Sequence, residues 1–358
     1  MVGERKSAWN PDWRLLKRAR EANGLTAKSL AEAIGKSPAA VASYEREQGT
    51  KPPPDVLLEI ARVCDRPYPY FFRKPREVAG LGEHHWRSKQ KASVRYRHQV
   101  VALATEVVEL VEELDSMRRF PSFDLCLEVD DSAISPEELA RYVRRSWGLG
   151  QGPLENVVGL LEARGIVVVE LFFEQKGTPP ADGFTMWTSR RPVVFTIRSI
   201  DEEEVQAARR RFTLLHELKH IITDRLTPAG DKSLEAAANS FASAMLLPLE
   251  TWGREFPRSF SVPFLRALKR RWKASIKAMV YRASSAGLIS SSTATRAYIE
   301  MNGTWKTNEP DEPPLEQPEL IVRALECQVS RLLAAAHAGL PEDKLQSLYR
   351  RGTYGASA

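Results

Sequence analysis

Cysteine is scarce in this 358-residue chain: Cys64, Cys126 and Cys327 are odd in number and far apart. That excludes a disulfide framework and a CxxC metal site, and leaves three plain core residues. Long apolar runs are missing as well. The most apolar stretch, IVVVELFF at 166–173, is interrupted by Glu170 and far too short to span a bilayer, so it is a candidate buried strand. No apolar run stands behind the charges of MVGERKSAWNPDW, so no signal peptide is read and the chain is expected in the cytoplasm, away from membranes. There is no repeat of fixed period and no low-complexity segment. What is present is an ordinary globular composition, 43% hydrophobic and 27% charged, at a length that suits two to three domains of about 150 residues.

Charge is unevenly placed. Residues 1–98 hold 20 Lys/Arg against 11 Asp/Glu, whereas the remainder holds 32 against 35. A basic surplus confined to the N-terminal part is what contact with a polyanion requires. That part reads as short helices. Asn10-Pro11 is a cap-plus-proline start for a first helix ending at Gly24; Thr26 can cap a second at 27–34. After a tight turn at Gly35, Ser37-Pro38 starts a third that runs to about 47. Two short helices joined by a glycine turn form a helix-turn-helix. A further helix at 55–64 and the aromatic cluster Tyr68, Tyr70, Phe71 and Phe72 close a small bundle.

The run from LLKRAREANGLTAKSLAEAIGKSPAAVASYERE to PYPYFFR resembles the XRE (Cro/repressor) family of DNA-binding domains. The resemblance implies a partner, double-stranded DNA, with the third helix in the major groove. Carried over, Ser37, Ala39, Ala40, Ser43 and Arg46 face DNA, with Lys28 and Lys36 near the phosphates. Position 27 is alanine where the family often has glutamine, and Pro38-Ala39-Ala40 offers few hydrogen-bonding groups to base edges, so reading rests on Arg46, Ser43 and DNA shape. The competing reading is a docking module whose basic face is merely solvated.

Residues 87–98, RSKQKASVRYRH, read as a linker or a phosphate-contacting arm. A long amphipathic helix follows at 99–119, with Val100, Leu103, Val107, Leu110 and Leu114 on one stripe. Core packing is its default use, and a homodimer seam the second. Helices are expected at 136–147 and 154–164, strands at 166–173, 183–188 and 192–197, and helices almost to the end thereafter.

The stretch FTLLHELKHIITD begins at Phe212 and carries His216-Glu217-Leu218-Lys219-His220, an HExxH pattern. On a helix, i and i+4 share a face, so both imidazoles can bind one ion while Glu217 sits beside a water at that ion. With 6 His in the chain, chance produces HExxH on the order of 0.01 times. A third ligand is available: the helix expected at 233–248, capped by Asp231 or Ser233, has Glu235 in its first turn and alanines that allow close packing. Two histidines and a glutamate are the ligand set of a catalytic zinc hydrolase.

RRRFTLLHELKHIITD with LEAAANSFASAMLLP, preceded by LENVVGLLEARGIVVVEL and DGFTMWTSRRPVVFTI, resembles the ImmA/IrrE metallo-endopeptidases. Transferred residue by residue, His216, His220 and Glu235 become ligands of Zn2+ and Glu217 the general base. Lys219, often glycine in the family, puts a cation near the cleft. Tyr281 and Arg282 are candidates for stabilising the oxyanion, or else core and surface residues; Asn239 orients a ligand or packs helices.

The fold class expected is mainly α with a small β-sheet (α+β): a five-helix XRE-type domain at 1–76, a basic linker and long helix at 77–120, a zincin-like metallopeptidase domain at 121–260 and a helical region at 261–358. The combination resembles bacterial and phage regulators in which such a peptidase inactivates a transcriptional repressor. The function implied is a DNA-binding, zinc-dependent endopeptidase that cleaves a repressor or antitoxin-like protein. The alternative is a DNA-binding regulator or antitoxin whose peptidase-like domain senses or dimerises without turnover.

Overall fold

The computed structural model describes residues 9–75, 93–117, 119–125, 134–173, 182–199, 206–224, 231–257, 261–305, 309–326 and 339–356. Cys126, Cys327 and residues 87–92 of the expected basic arm lie outside these; Cys64 is buried, and burial pushes its thiol up to about 12.

The N-terminal bundle contains α1 (Trp13–Ala22), α2 (Ala27–Ala33), α3 (Pro38–Tyr44), α4 (Pro54–Val63) and a closing 3-10 turn, Tyr68–Phe72. Its core is Leu15, Leu16, Ala19, Leu30, Val41, Leu57, Ile60, Tyr70 and Phe71. Two starts differ from expectation. α1 is capped by Asp12, whose carboxylate accepts from Arg14 N at 2.9 Å, so Asn10 lies before the helix. α4 begins at Pro54, behind Pro53, and Asp55 sits in its first turn. The caps by Thr26 and Ser37 are as expected.

Next comes α5 (Val94–Ser116), which starts five residues before the expected point because Ser93 caps it; His98 and its neighbours are thus helical. Its apolar stripe, Val100, Leu103, Val107, Leu110 and Leu114, is fully buried within the chain against the sheet described below, which leaves no seam for a second copy there. The opposite side of α5 receives the N-terminal bundle. Arg66 forms a pair with Glu106 in which both side chains are 0% exposed, at 2.8 Å, and Tyr70 and Tyr354 hydroxyls also donate to Glu106. Arg18 and Arg73 both reach Glu109 at 2.6 Å. The bundle is therefore bolted to α5 by charge-assisted hydrogen bonds, of which the Arg66–Glu106 pair is wholly shielded from solvent.

Helices α6 (Pro136–Ser146) and α7 (Val157–Glu162) precede β1 (Val167–Phe173), β2 (Gly183–Trp187) and β3 (Pro192–Ser199); then come α8 (Ala207–Thr223), α9 (Lys232–Leu246), α10 (Trp252–Glu255), α11 (Val262–Trp272), α12 (Ile276–Ser285), α13 (Ser291–Trp305), α14 (Leu320–Glu326), α15 (Glu342–Arg351) and β4 (Thr353–Ala356). The sheet order is β2-β3-β1-β4. β1 pairs in parallel with β3 (Val167 opposite Val193) and with β4 (Glu170 opposite Thr353), while β2 runs antiparallel to β3. β4 was not expected from the sequence.

The strands alternate. Val167, Val169, Leu171, Phe173, Val193 and Phe195 face α5, α14 and α15. Val168 and Val194 face α6, α8, α9 and α11 to α13, in one core that includes Trp252, Trp272 and Met279. No core boundary falls at residue 260: α11 to α13 continue the same packed layer. The architecture is α+β in three layers, mostly helical, as expected.

The proline-rich connection at 309–320 has a function in the fold that its composition did not announce. Glu309 accepts from Ile276 N and Lys277 N at the start of α12, Glu312 from Ala208 N at the start of α8, and Glu316 from Val157 N and Val158 N at the start of α7. Glu162 returns the favour, accepting from Glu319 N and Leu320 N. Each carboxylate satisfies orphan N–H groups and meets the positive end of a helix dipole.

Candidate active site

Two helices build the site. α8 carries His216, Glu217 and His220, and its N-terminus is fixed by Glu312. α9, capped by Asp231, one of the two residues expected, shares a core with α8 through Phe241, Ala242 and Met245, and its small alanines let its first turn lie over the histidine face. Nε2 of His216 and Nε2 of His220 lie 3.2 Å apart; Glu235 carboxylate oxygens are 3.4 Å from the first and 3.8 Å from the second.

The outer nitrogens are both engaged. His216 Nδ1 donates to Asn239 Oδ1 at 2.9 Å, and His220 Nδ1 to the Asp224 carboxylate at 2.6 Å. These bonds set the tautomers and leave both Nε2 lone pairs pointing at one another and at Glu235. Burial opposes a charge on His216, but Glu235 and Glu217 outweigh it and raise its pKa, so this pocket attracts positive charge. Ligand atoms in a tetrahedral zinc site with bonds of about 2.0–2.1 Å stand about 3.3–3.4 Å apart. The observed separations fit that set, and the three residues form the cluster able to hold a metal ion among the described residues.

Glu217 is buried, and its Oε2 accepts from Thr185 Oγ1 of β2 at 2.8 Å. One carboxylate oxygen is thus held by the sheet while the residue sits beside the donor triangle. Asp224 is as informative. Besides His220 it takes Lys219 Nζ at 2.7 and 2.8 Å, and these bonds overcome its burial to hold its carboxyl down at about 2. Lys219 is 5% exposed. The cation expected near the cleft is therefore turned inward and neutralised.

Tyr281 and Arg282 part company. Tyr281 is 36% exposed and lines a cavity that Asn239 also lines. Arg282 is buried, donating to Leu247 O at 3.1 Å and to both Glu137 oxygens at 2.6 and 2.7 Å, so its guanidinium is committed to the core and does not reach the donor triangle. On the bundle, Lys28, Lys36, Ser37, Ala39 and Arg46 are exposed on the outer side of α2 and α3, with Ala40 and Ser43 half-buried. Ser37 Oγ is used as the α3 cap, Ser43 Oγ is held by Thr50, and Arg46 Nε reaches back to Ala42 O. Sequence reasoning missed Asp224 and Thr185. The first had a signal, one more i+4 step after His216 and His220; the second had none, since only sheet packing brings Thr185 to α8.

A helical bundle with an outward α3, joined to an α+β unit with a two-histidine, one-glutamate cluster, defines a DNA-binding helix-turn-helix protein that also carries a metallopeptidase-type domain. Comparison with family models specifies both parts: residues 16–71 match the helix-turn-helix family, and residues 161–284 match the IrrE N-terminal-like domain, a peptidase family. The chain is a fusion of the two. No curated protein matched it. Among the described residues no helix is long and apolar enough to cross a membrane.

Proposed function

We propose that this chain is a zinc-dependent endopeptidase, tethered to DNA by its own helix-turn-helix, that cuts a repressor or antitoxin-like protein to control transcription in the cytoplasm. The observation that carries the reading is the convergence of His216 Nε2, His220 Nε2 and Glu235 within 3.2–3.8 Å, with both outer imidazole nitrogens already held. His216, His220 and Glu235 would hold zinc, which would supply Lewis-acid polarisation of a peptide carbonyl and a more acidic water. Glu217, one oxygen held by Thr185, offers the other to take the attacking water's proton and to pass it to the departing amine. Asn239 and Asp224 keep the two imidazoles aimed. The outward α2–α3 face, with Lys28, Lys36 and Arg46 exposed, supports phosphate contact with little direct base reading.

A regulator without turnover would need none of the Glu217–Thr185 arrangement, which favours the enzyme. The test is elemental analysis of purified protein, wild type beside His216→Ala and Glu235→Ala, followed by cleavage of candidate repressors with Glu217→Gln as control. About one zinc per chain, lost in both ligand variants, with cleavage abolished in Glu217→Gln, is the expected result. Failure of the wild type to bind zinc even when it is supplied would sink the peptidase and leave a DNA-binding regulator.

A further inference from the structure

A cavity of about 430 Å³, large enough for a bulky side chain and within the range of pockets that hold small ligands, is lined by residues one helical turn from the donor triangle, not by the triangle itself. Its position is set by two residues. Asn239, which orients His216, forms part of its wall, and Phe212 lies one helical turn before His216 on α8, about 5–6 Å along the helix axis. Consecutive residues of an extended peptide advance about 3.3–3.5 Å, so a peptide bond placed at the triangle sends a neighbouring side chain here.

Phe212, Ala278 and Tyr281 give the cavity an apolar lining. Most charges around it are already answered. Arg209 pairs with Asp182 at 2.6 Å, and Glu309 and Glu312 are committed to helix N-termini and to the buried Lys269. That leaves Lys277 on the cavity wall, its backbone N–H donating to Glu309 and its ammonium in no ion pair among the described residues.

Building on the peptidase reading, we infer that this cavity is the specificity pocket, and that it selects a large apolar side chain, aromatic or long aliphatic, within two positions of the scissile bond. Burying such a group against Phe212 and Tyr281 gains from apolar contact and from ring geometry, whereas a charged side chain would give up its hydration against this apolar wall. Ala278 acts as the depth gauge: it is 8% exposed, and any larger residue there projects into the cavity.

The test has two arms, both on the full chain. In the first, the zinc-loaded protein digests a mixture of random-sequence peptides and the cut sites are read by mass spectrometry. Phe, Tyr, Trp, Leu or Met should be enriched at one position within two residues of the cut. Ala278→Trp should lower the preference for large over small residues there by roughly 10–100-fold in kcat/KM, and Tyr281→Ala, at an exposed position that tolerates truncation, should relax it. Enrichment of Asp or Glu, which Lys277 would explain, or a profile unmoved by both variants, overturns the inference.

The second arm needs no turnover. Saturation-transfer NMR on the Glu217→Gln chain should detect N-acetylphenylalaninamide but not N-acetylglycinamide, with the signal lost in Glu217→Gln/Ala278→Trp and weakened in Glu217→Gln/Tyr281→Ala. Absence of phenylalaninamide binding refutes the pocket even if peptides are cut. Binding with no cleavage of any peptide by the wild type refutes the peptidase reading instead.

Discussion

Asp224→Asn keeps the size of the side chain and removes its charge, and its effect on zinc affinity can be worked from two contacts. The carboxylate takes His220 Nδ1 at 2.6 Å and Lys219 Nζ at 2.7 Å. Loss of the outer partner of a metal-binding histidine lowers affinity by about 10–100-fold, or about 1.4–2.7 kcal/mol. A second effect adds to this. Through those contacts and across the imidazole, Lys219 Nζ stands at most about 9.5 Å from an ion at His220 Nε2. With an effective dielectric of about 20, a single against a double charge at that distance repels by about 3.5 kcal/mol before ionic screening and relaxation, which together remove about half.

Asp224→Asn should therefore weaken zinc binding by about 10²–10⁴-fold. Adding Lys219→Met, which keeps the buried stem and deletes the ammonium, should return the loss to the 10–100-fold of orientation alone. Competition with a chromophoric zinc chelator measures both. Should Asp224→Asn bind within threefold of wild type, the orienting role is wrong. A double variant no tighter than Asp224→Asn would show instead that Lys219 exerts no field on the site.

Thr185→Val should leave zinc stoichiometry intact while lowering kcat/KM by about tenfold, the scale of one hydrogen bond to a carboxylate, with Thr185→Ser restoring activity; equal losses in Val and Ser would refute a positioning role. Glu106→Leu should destabilise the chain by about 3–5 kcal/mol in urea denaturation because it strands the buried Arg66, and Arg66→Met/Glu106→Leu should recover most of that loss; a double variant as unstable as the single refutes the account. Burial pushes Glu162 up to about 7, against the pull of the Leu320 and Glu319 N–H groups, from 4.5 in the unfolded chain. The folded state then keeps a proton that the unfolded chain has released. The contribution of this one group to stability is therefore full below pH 4.5, falls by up to about 3 kcal/mol as pH rises to about 7, and is level beyond. The Tm of Glu162→Gln should lack this slope between pH 5 and 8.

What was legible in the sequence was what short-range spacing encodes. Thr26, Ser37 and Asp231 announced their helices because a cap and its target lie within three residues. His216, His220 and Glu235 announced themselves through a four-residue step and an acid in a first turn. Arg282 misled because neighbours on a helix are turned by about 100°: Tyr281 lines the cavity while the next residue points to Glu137.

The unreadable parts share a cause, which is that a charge has no intrinsic depth. Glu106 and Glu109 on α5 look like the solvated side of an amphipathic helix, and Arg18, Arg66 and Arg73 look like a basic surface suited to nucleic acid. In the fold the two sets meet and are buried together, so part of the N-terminal basic surplus faces inward to α5. The same holds for Glu309, Glu312 and Glu316, which read as a polar connection yet occupy the N-termini of α12, α8 and α7. Such residues become structural only once partners some 30 to 160 positions away arrive, and no window of sequence contains both. It follows that the basic charge available to DNA is smaller than the count over residues 1–98 implies. What is left on the outward face is chiefly Lys28, Lys36 and Arg46, a sparse set that accords with binding through phosphates and shape more than through base edges.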